Sequence, residues 1–256
     1  MIHKGRFVSK VDTGRIRITS DDNALATINS NGDILLCVCD GMGGYKSGDF
    51  ASKIVIDEFK NAFINHSKFY CRLQIINFFS KTLRKINKTI YDYAQSKDFK
   101  DMGTTLVAAL IINKTLCIIN VGDSRCYFYN KNSIKLMTED QTYVNYLYKS
   151  GQINKEEMKT HPKRHVLTNA IGIFPYINLT YDFYKYENQN ILLCSDGLYN
   201  NLSENDIFSI LGTKELIDKK ASTLIACANE NGGSDNIAVV LWEGENNDWI
   251  RFSFSK

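Results

Sequence analysis

The stretch Ile34-Leu-Leu-Cys-Val-Cys-Asp-Gly-Met-Gly-Gly44 decides how this chain is read. Its six apolar residues follow the turn signal Asn31-Gly32 and read as a short buried strand. The strand ends on a carboxylate, Asp40, inside a glycine-rich run. Ser47 then opens a helix over about 48–64, where Phe50, Ile54, Ile56, Phe59, Ala62 and Phe63 recur at helical spacing. The same grammar returns at Ile191-Leu-Leu-Cys-Ser195, which runs into Asp196-Gly197. A carboxylate just past a buried strand is held rigidly, because packing fixes the strand before it.

Two further aspartates stand in comparable contexts: Asp22, after Arg17-Ile-Thr-Ser-Asp, and Asp235, in Gly232-Gly-Ser-Asp-Asn236. Taken singly, each of the four reads as a turn or strand-end residue. Several converging carboxylates make an all-oxygen site for hard divalent cations, so the set points to metal-assisted chemistry.

Working outward, residues 6–18 and 24–29 are extended candidates, and with 33–39 they make the first forty residues look like a hairpin. A second helix spans about 72–96, with the stripe Leu73, Ile76, Phe79, Leu83, Ile86 and Ile90. Strands follow at 104–112, 116–121 and 125–129, then short helices at 142–150 and 154–159. Strands are expected near 166–170, 178–185 and 191–195, helices over 204–211 and about 214–230, and a last strand over 237–242. Short turns between neighbouring strands favour antiparallel pairing, and long amphipathic helices need a sheet face to cover. The expected fold is α+β: a four-layer α-β-β-α sandwich of two antiparallel sheets packed face to face with helices outside.

With 256 residues, 44% hydrophobic and 12% aromatic, the chain can bury a sizeable core and is not disordered. Two prolines and no Ser/Gly/Pro-rich linker leave one domain, 1–256, as the simplest division. A net charge of +3 gives no electrostatic case for nucleic acid. No stretch reaches the ~18 apolar residues that span a bilayer. Most of the seven cysteines lie in apolar runs, and no Cys or His pairs stand at zinc-ligand spacing. Buried, reduced thiols in the cytoplasm are expected.

The motifs in series resemble the bacterial form of the metal-dependent serine/threonine protein phosphatases of type 2C. The likeness runs from Asp12-Thr-Gly-Arg-Ile-Arg17 through Asp40-Gly-Met-Gly-Gly44, Met102-Gly-Thr-Thr105, Val121-Gly-Asp-Ser-Arg125, Leu167-Thr-Asn-Ala-Ile-Gly172 and Ser195-Asp-Gly-Leu198 to Gly233-Ser-Asp-Asn236. It implies a centre of two Mn²⁺ or Mg²⁺ ions, with a third in some members. Carried over position by position, Asp22 and Asp40 are metal ligands, with Asp40 bridging, and the Gly41 carbonyl is another. Asp196 and Asp235 hold the first ion. Asp123, with Asp196, holds the third, and Arg17 grips the substrate phosphate.

The chemistry suits the reaction. A phosphate monoester dianion repels an anionic nucleophile; two cations offset that charge and lower the pKa of a water between them. A guanidinium adds a bidentate grip on phosphoryl oxygens.

The resemblance implies phosphorylated protein substrates, a Ser/Thr kinase among them, and a monomer with no nucleic acid or membrane partner. A metallophosphatase of small phosphoesters or nucleotides would share the site chemistry, and a catalytically weak regulator would share the fold. Three departures stand out. Met42 replaces the histidine proposed as general acid in eukaryotic members, Asp21 takes a usual glutamate position, and Gln141 replaces a frequent histidine. Segment 141–166 corresponds to a flap beside the site, with a basic cluster of Lys159, Lys163, Arg164 and His165.

Overall fold

The structure is a computed structural model that describes residues 4–245 apart from 44–46, 98 and 100, so Gly44 of the second motif lies outside the described residues. Its elements, in chain order, begin with β1 (Gly5–Asp12), β2 (Asn23–Ile28), β3 (Ile34–Cys39), β4 (Gly41–Met42), α1 (Ser47–Ile64) and α2 (Arg72–Lys97). The centre of the chain supplies β5 (Gly103–Thr104), β6 (Leu106–Ile112), β7 (Thr115–Val121), β8 (Arg125–Tyr129), β9 (Ile134–Leu136), α3 (Tyr143–Lys149) and α4 (Lys155–Thr160). The last part supplies β10 (Thr180–Lys185), β11 (Asn190–Cys194), α5 (Asp196–Tyr199), α6 (Glu204–Leu211), α7 (Ile217–Glu230) and β12 (Ile237–Gly244).

Ten strands form two antiparallel sheets, ordered β1-β12-β11-β8-β9 and β10-β7-β6-β3-β2. Three cores make the four layers. Ile34, Leu36 and Val38 of β3 meet Ala238, Val240 and Trp242 of β12 between the sheets. Leu35, Cys37 and Cys39 face the other way, onto Phe59 and Phe63 of α1 and Phe79 and Leu83 of α2. On the far side, Leu192 and Cys194 of β11 pack beneath Leu211 of α6 and Leu224 of α7. Every residue of β3 is buried because its alternate side chains fill two different cores. All seven cysteines are free thiols, five of them buried.

Several sequence expectations needed correction. The extended run predicted over 6–18 stops at Asp12, where Gly14 takes φ +79° in a turn. The opening hairpin is not one unit. β2 pairs with β3, but β1 pairs with β12 in the other sheet, from Gly5 opposite Gly244 to Asp12 opposite Ile237. The strand expected at 166–170 is an isolated bridge between Leu167 and Thr142. Leu73, counted in the apolar stripe of α2, is 63% exposed. β9 and the single turn of α5 carry too short a pattern to announce themselves.

The arrangement places the C-terminal ends of β3 and β11, the start of β12 and the β7–β8 turn at one end of the sandwich. Gly41 is essential to that closeness. A Cβ there would stand 2.3 Å from the Gly48 carbonyl and 2.5 Å from that of Asp21, so only glycine lets β4 lie on the start of α1.

Candidate active site

Each acidic side chain at this end is fixed by hydrogen bonds to its backbone or to its neighbours. The Asp40 N–H donates to Thr105 Oγ1 at 3.0 Å, and the Thr104 hydroxyl donates to the Asp40 carbonyl at 2.9 Å. The two threonines thus clamp the exit of β3, and Thr105, which also lines the cleft, is bonded in turn through Oγ1 to Ser124 Oγ at 2.7 Å. Ser195 ties the second strand end. Its hydroxyl accepts from the Ala238 N–H at 2.8 Å and donates to Asp22 Oδ2 at 2.6 Å. Asp196 then opens α5, where its Oδ2 accepts from Asn200 Nδ2 at 3.0 Å.

Asn236 straps the loop 13–21 across the front of the sheet. Its Oδ1 accepts from the Asp21 N–H at 2.8 Å, and its Nδ2 donates to the carbonyls of Thr13 and Thr19 at 2.9 and 3.0 Å. Buried, with both ends of its amide used, Asn236 sets the course of that loop. The loop carries Arg17 to the mouth, where its guanidinium donates to Asp235 Oδ2 at 2.9 Å.

The result is a cleft of about 480 Å³ lined by Asp21, Asp40, Asp123, Asp196 and Asp235, with Gly41 and Arg17 at its wall. Val166, Leu167, Ile173 and Phe174 give it one apolar side. Of the residues singled out from sequence as ligands or phosphate binder, all but Asp22 line this cleft. Asp22 lies beneath it, 4% exposed and bonded to Ser195, whereas Asp21, one residue earlier, takes the wall position. Asp21 is the residue that sequence reasoning passed over as a mere variation. The flap contributes His165, Val166 and Leu167; His161 instead accepts from the Lys163 N–H within its own turn. Gln141 anchors the flap base, its Oε1 accepting from the Gly122 N–H at 2.9 Å and from Asn169 Nδ2 at 2.7 Å.

The carboxylates hold one another in an unfavourable field. Burial, then the repulsion of its acidic neighbours, pushes Asp40 well above the usual carboxylate range. Burial raises Asp22 to about 8 despite its bond from Ser195, and Asp123 to about 7. Asp196 is raised as well, by burial and then by the charge of Asp235. Arg17 at the mouth, His165 on the flap and Arg125 beside Asp123 are basic groups whose fields reach the cluster and oppose this rise. Oxygen-only and half-buried, this donor set fits hard divalent cations, whose charge would offset the carboxylates' mutual repulsion. Among the described residues no three Asp, Glu, His or Cys side chains are already grouped as a ready-made metal site. The carboxylates share one cleft without closing on one point.

Comparison with known proteins shows the family of the chain. Residues 15–238 match the family Protein phosphatase 2C. The serine/threonine phosphatase stp of Listeria monocytogenes is 36% identical over 236 residues, covering 91% of this chain and 94% of that protein. Stp1 from Staphylococcus aureus superposes with a TM-score of 0.86 at 34% identity, covering 95% of each chain. The catalytic domain of the serine/threonine protein phosphatase PstP, solved in complex with two manganese ions, gives a TM-score of 0.81 at 28% identity over 94% of this chain and 98% of that one. The chain belongs to the protein phosphatase 2C family.

Proposed function

We propose that this member of the protein phosphatase 2C family hydrolyses phosphoserine and phosphothreonine in proteins, at a centre of two Mn²⁺ or Mg²⁺ ions held by its cleft carboxylates. The observation that carries this reading is the gathering of Asp21, Asp40, Asp123, Asp196 and Asp235 around one open cleft, where burial and mutual repulsion raise Asp40. Asp40, Asp196, Asp235 and the Gly41 carbonyl are the proposed core ligands, with Asp21 in the wall position expected of Asp22. Asp22 then acts from beneath, as a buried carboxylate oriented by Ser195. Asp123 with Asp196 is the proposed seat of a third ion. When bound, the ions supply positive charge to a phosphate dianion and activate a water for attack on phosphorus.

The chain's own residues do the rest. Arg17 sits at the mouth on a loop fixed by Asn236, and its guanidinium offers a planar fork to two phosphoryl oxygens once it leaves Asp235. The open cleft admits an extended chain, and Val166, Ile173 and Phe174 give apolar cover to residues flanking the phosphorylated one. Met42 lines the cleft and carries no proton to donate, so the leaving oxygen takes its proton from another group. No helix among the described residues is long and apolar enough to cross a membrane. We infer further that the enzyme works as a cytoplasmic monomer whose substrates include a Ser/Thr kinase; the seven free thiols suit a reducing compartment.

The test is kcat/KM on matched phosphothreonine, phosphotyrosine and nucleotide substrates, with added Mn²⁺ and with chelator. Phosphothreonine turnover that needs the metal is the expected result. A nucleotide preferred by more than ~10-fold would overturn the protein-phosphatase reading and leave the metal chemistry standing. Full activity in excess chelator, after the metal is stripped, would sink both.

A further inference from the structure

We propose that the groove between α1 and α2 is a docking site for an acidic segment of the phosphoprotein substrate, which rests on the protein-phosphatase reading above. Residues 60–88 hold seven Lys or Arg and no Asp or Glu, in a chain whose net charge is only +3. The charge is arranged as well as concentrated. Lys81, Lys85 and Lys88 stand at i, i+4 and i+7 of α2, so they form one exposed row, whose last member pairs with Asp92 a turn further on. Like charges at that spacing weaken a helix, and the packing of α2 does not need them, since its core contacts come from Ile75, Phe79, Leu83 and Ile86.

Beside this row lies a groove of about 490 Å³, lined among others by Lys68, Lys81, Lys85, Asn65 and Asn77. Ammonium groups and amide N–H donors around a concave surface match carboxylate or phosphate oxygens. Neither Lys68 nor Lys81 has an ion-pair partner among the described residues. Glu58 of α1 reaches Lys85 at 3.4 Å, so one carboxylate of the chain itself already sits where those of the occupant would go. Both side chains of that pair are exposed, and it is weak enough to be displaced.

The helix that carries the lysine row is tied to the wall of the catalytic cleft. Asn87, on the buried face of α2, accepts from the Gly172 N–H at 2.8 Å and donates to the Phe174 carbonyl at 3.0 Å. Phe174 is part of the cleft wall. From Asn87 to Asn77 the helix rises about 15 Å, a distance covered by roughly five residues of extended chain. Acidic residues about three to seven positions from the phosphorylated one would therefore fall on the lysine row. A membrane surface is the rival occupant, but the lysines line a concavity between two helices rather than a flat face.

The experiment uses phosphothreonine peptides with an Asp/Glu tract placed three to seven residues away, and matched neutral peptides. Binding is read by fluorescence anisotropy and turnover by phosphate release, for the wild type, K81E/K85E, K81Q/K85Q and E58Q. The expected result is an acidic-peptide preference in kcat/KM of about tenfold, expressed in KM. K81Q/K85Q should reduce it and K81E/K85E abolish it, with p-nitrophenyl phosphate turnover unchanged; E58Q should strengthen it. Equal preference in wild type and K81E/K85E overturns the proposal. So does loss of binding to phosphatidylglycerol vesicles in K81E/K85E with peptide binding untouched. Acidic peptides that bind at the lysines but are not turned over by the wild type would support the groove and count against the phosphatase reading instead.

Discussion

On the β7–β8 turn, Asp123 lines the cleft while Arg125, two residues on, sits in a closed nest of its own. The two are treated in opposite ways. Arg125 forms a bidentate pair with Asp140, Nε to Oδ1 at 3.0 Å and the terminal nitrogen to Oδ2 at 2.7 Å. It also donates to Tyr127 Oη at 3.3 Å and lies 3.6 Å over the Tyr199 ring. The guanidinium is thus partnered along its edge and over its face. Asp123 has acidic neighbours, and burial with the fields of Asp196 and Asp140 raises it to about 7. The folding chain therefore can compensate a half-buried charge at this end of the sandwich, and does so within two residues of the cleft. Of the cleft carboxylates Asp235 is paired with Arg17, whereas Asp40, Asp123 and Asp196 have no ion pair among the described residues, which marks them as a candidate site whose counter-charge comes from outside.

The sharpest way to break this contrast is to remove charge from each side. Asp40→Asn or Asp196→Asn should lower turnover by at least ~10³-fold, since each removes a proposed ligand of the charge-stabilising centre. The metal-free variant should be more stable than metal-free wild type at pH 8. The sign follows from the raised pKa values. A carboxyl lifted from 3.8 to about 8, as Asp22 is, favours the fold fully below pH 3.8, and that contribution is lost as the pH climbs toward 8. The neutral amide that Asp40→Asn introduces escapes the penalty. Thermal melts at pH 4 and pH 8, with and without Mn²⁺, check it; a variant with near-normal turnover and bound metal would refute the ligand assignment.

Arg125→Met tests the other side and should behave inversely. Asp140 loses both charge-assisted bonds and Tyr199 its cationic neighbour, so stability should fall by about 2–3 kcal/mol, with or without metal. Urea unfolding of the metal-free protein measures it. A change below about 0.5 kcal/mol would mean that the nest is a surface pair of little weight.

Arg17→Ala comes third. Arg17 is 55% exposed and bonded to Asp235, so its loss should barely alter the fold. It should lower kcat/KM by roughly 10- to 100-fold, the cost of one bidentate phosphate contact of about 1.5–3 kcal/mol. Metal affinity, read from the Mn²⁺ dependence of the melt, should change little. Unchanged kcat/KM would return Arg17 to the solvated role its exposure also permits.

How much of this was legible in the sequence follows from where each constraint lies. The runs 34–39 and 191–194 announce buried strands because burial on both faces makes them apolar throughout, and their terminal aspartates come with them. The partner of β1 was illegible, since its pairing with β12 joins residues more than two hundred positions apart. The placement of Asp21 on the cleft wall and of Asp22 beneath it was illegible for the same reason. Which carboxylate reaches the cleft depends on Asn236 gripping the loop and on Ser195 capturing Asp22, both remote in sequence. Ser195 could have been suspected, because a serine closing an apolar strand beside an aspartate needs a partner for its hydroxyl. The lysine row of α2 was in plain view as a charge run, but its meaning depends on Asn87 joining the helix to the cleft wall.

The smallest expected effect belongs to Asp123→Asn, and it probes the boundary between the two regions. Asp123 lines the cleft with its side chain, while its backbone carbonyl accepts from Tyr199 Oη at 3.1 Å, and Tyr199 is the same ring that Arg125 covers. The turn is thus anchored from the compensated side and charged on the uncompensated one. Asparagine keeps the shape and the anchor and removes only the charge. The proposed two-ion core, assigned to other residues, should still form, so the Mn²⁺-induced rise in melting temperature should persist. Turnover should fall by about tenfold at low Mn²⁺ and recover in part at high Mn²⁺, where Asp196 and water can still seat a weaker third ion. If the loss were the same at every Mn²⁺ concentration, Asp123 would act on the core or on the turn itself. If there were no loss at all, the carboxylate would be a bystander, and the contrast with Arg125 would shrink to Asp40 and Asp196.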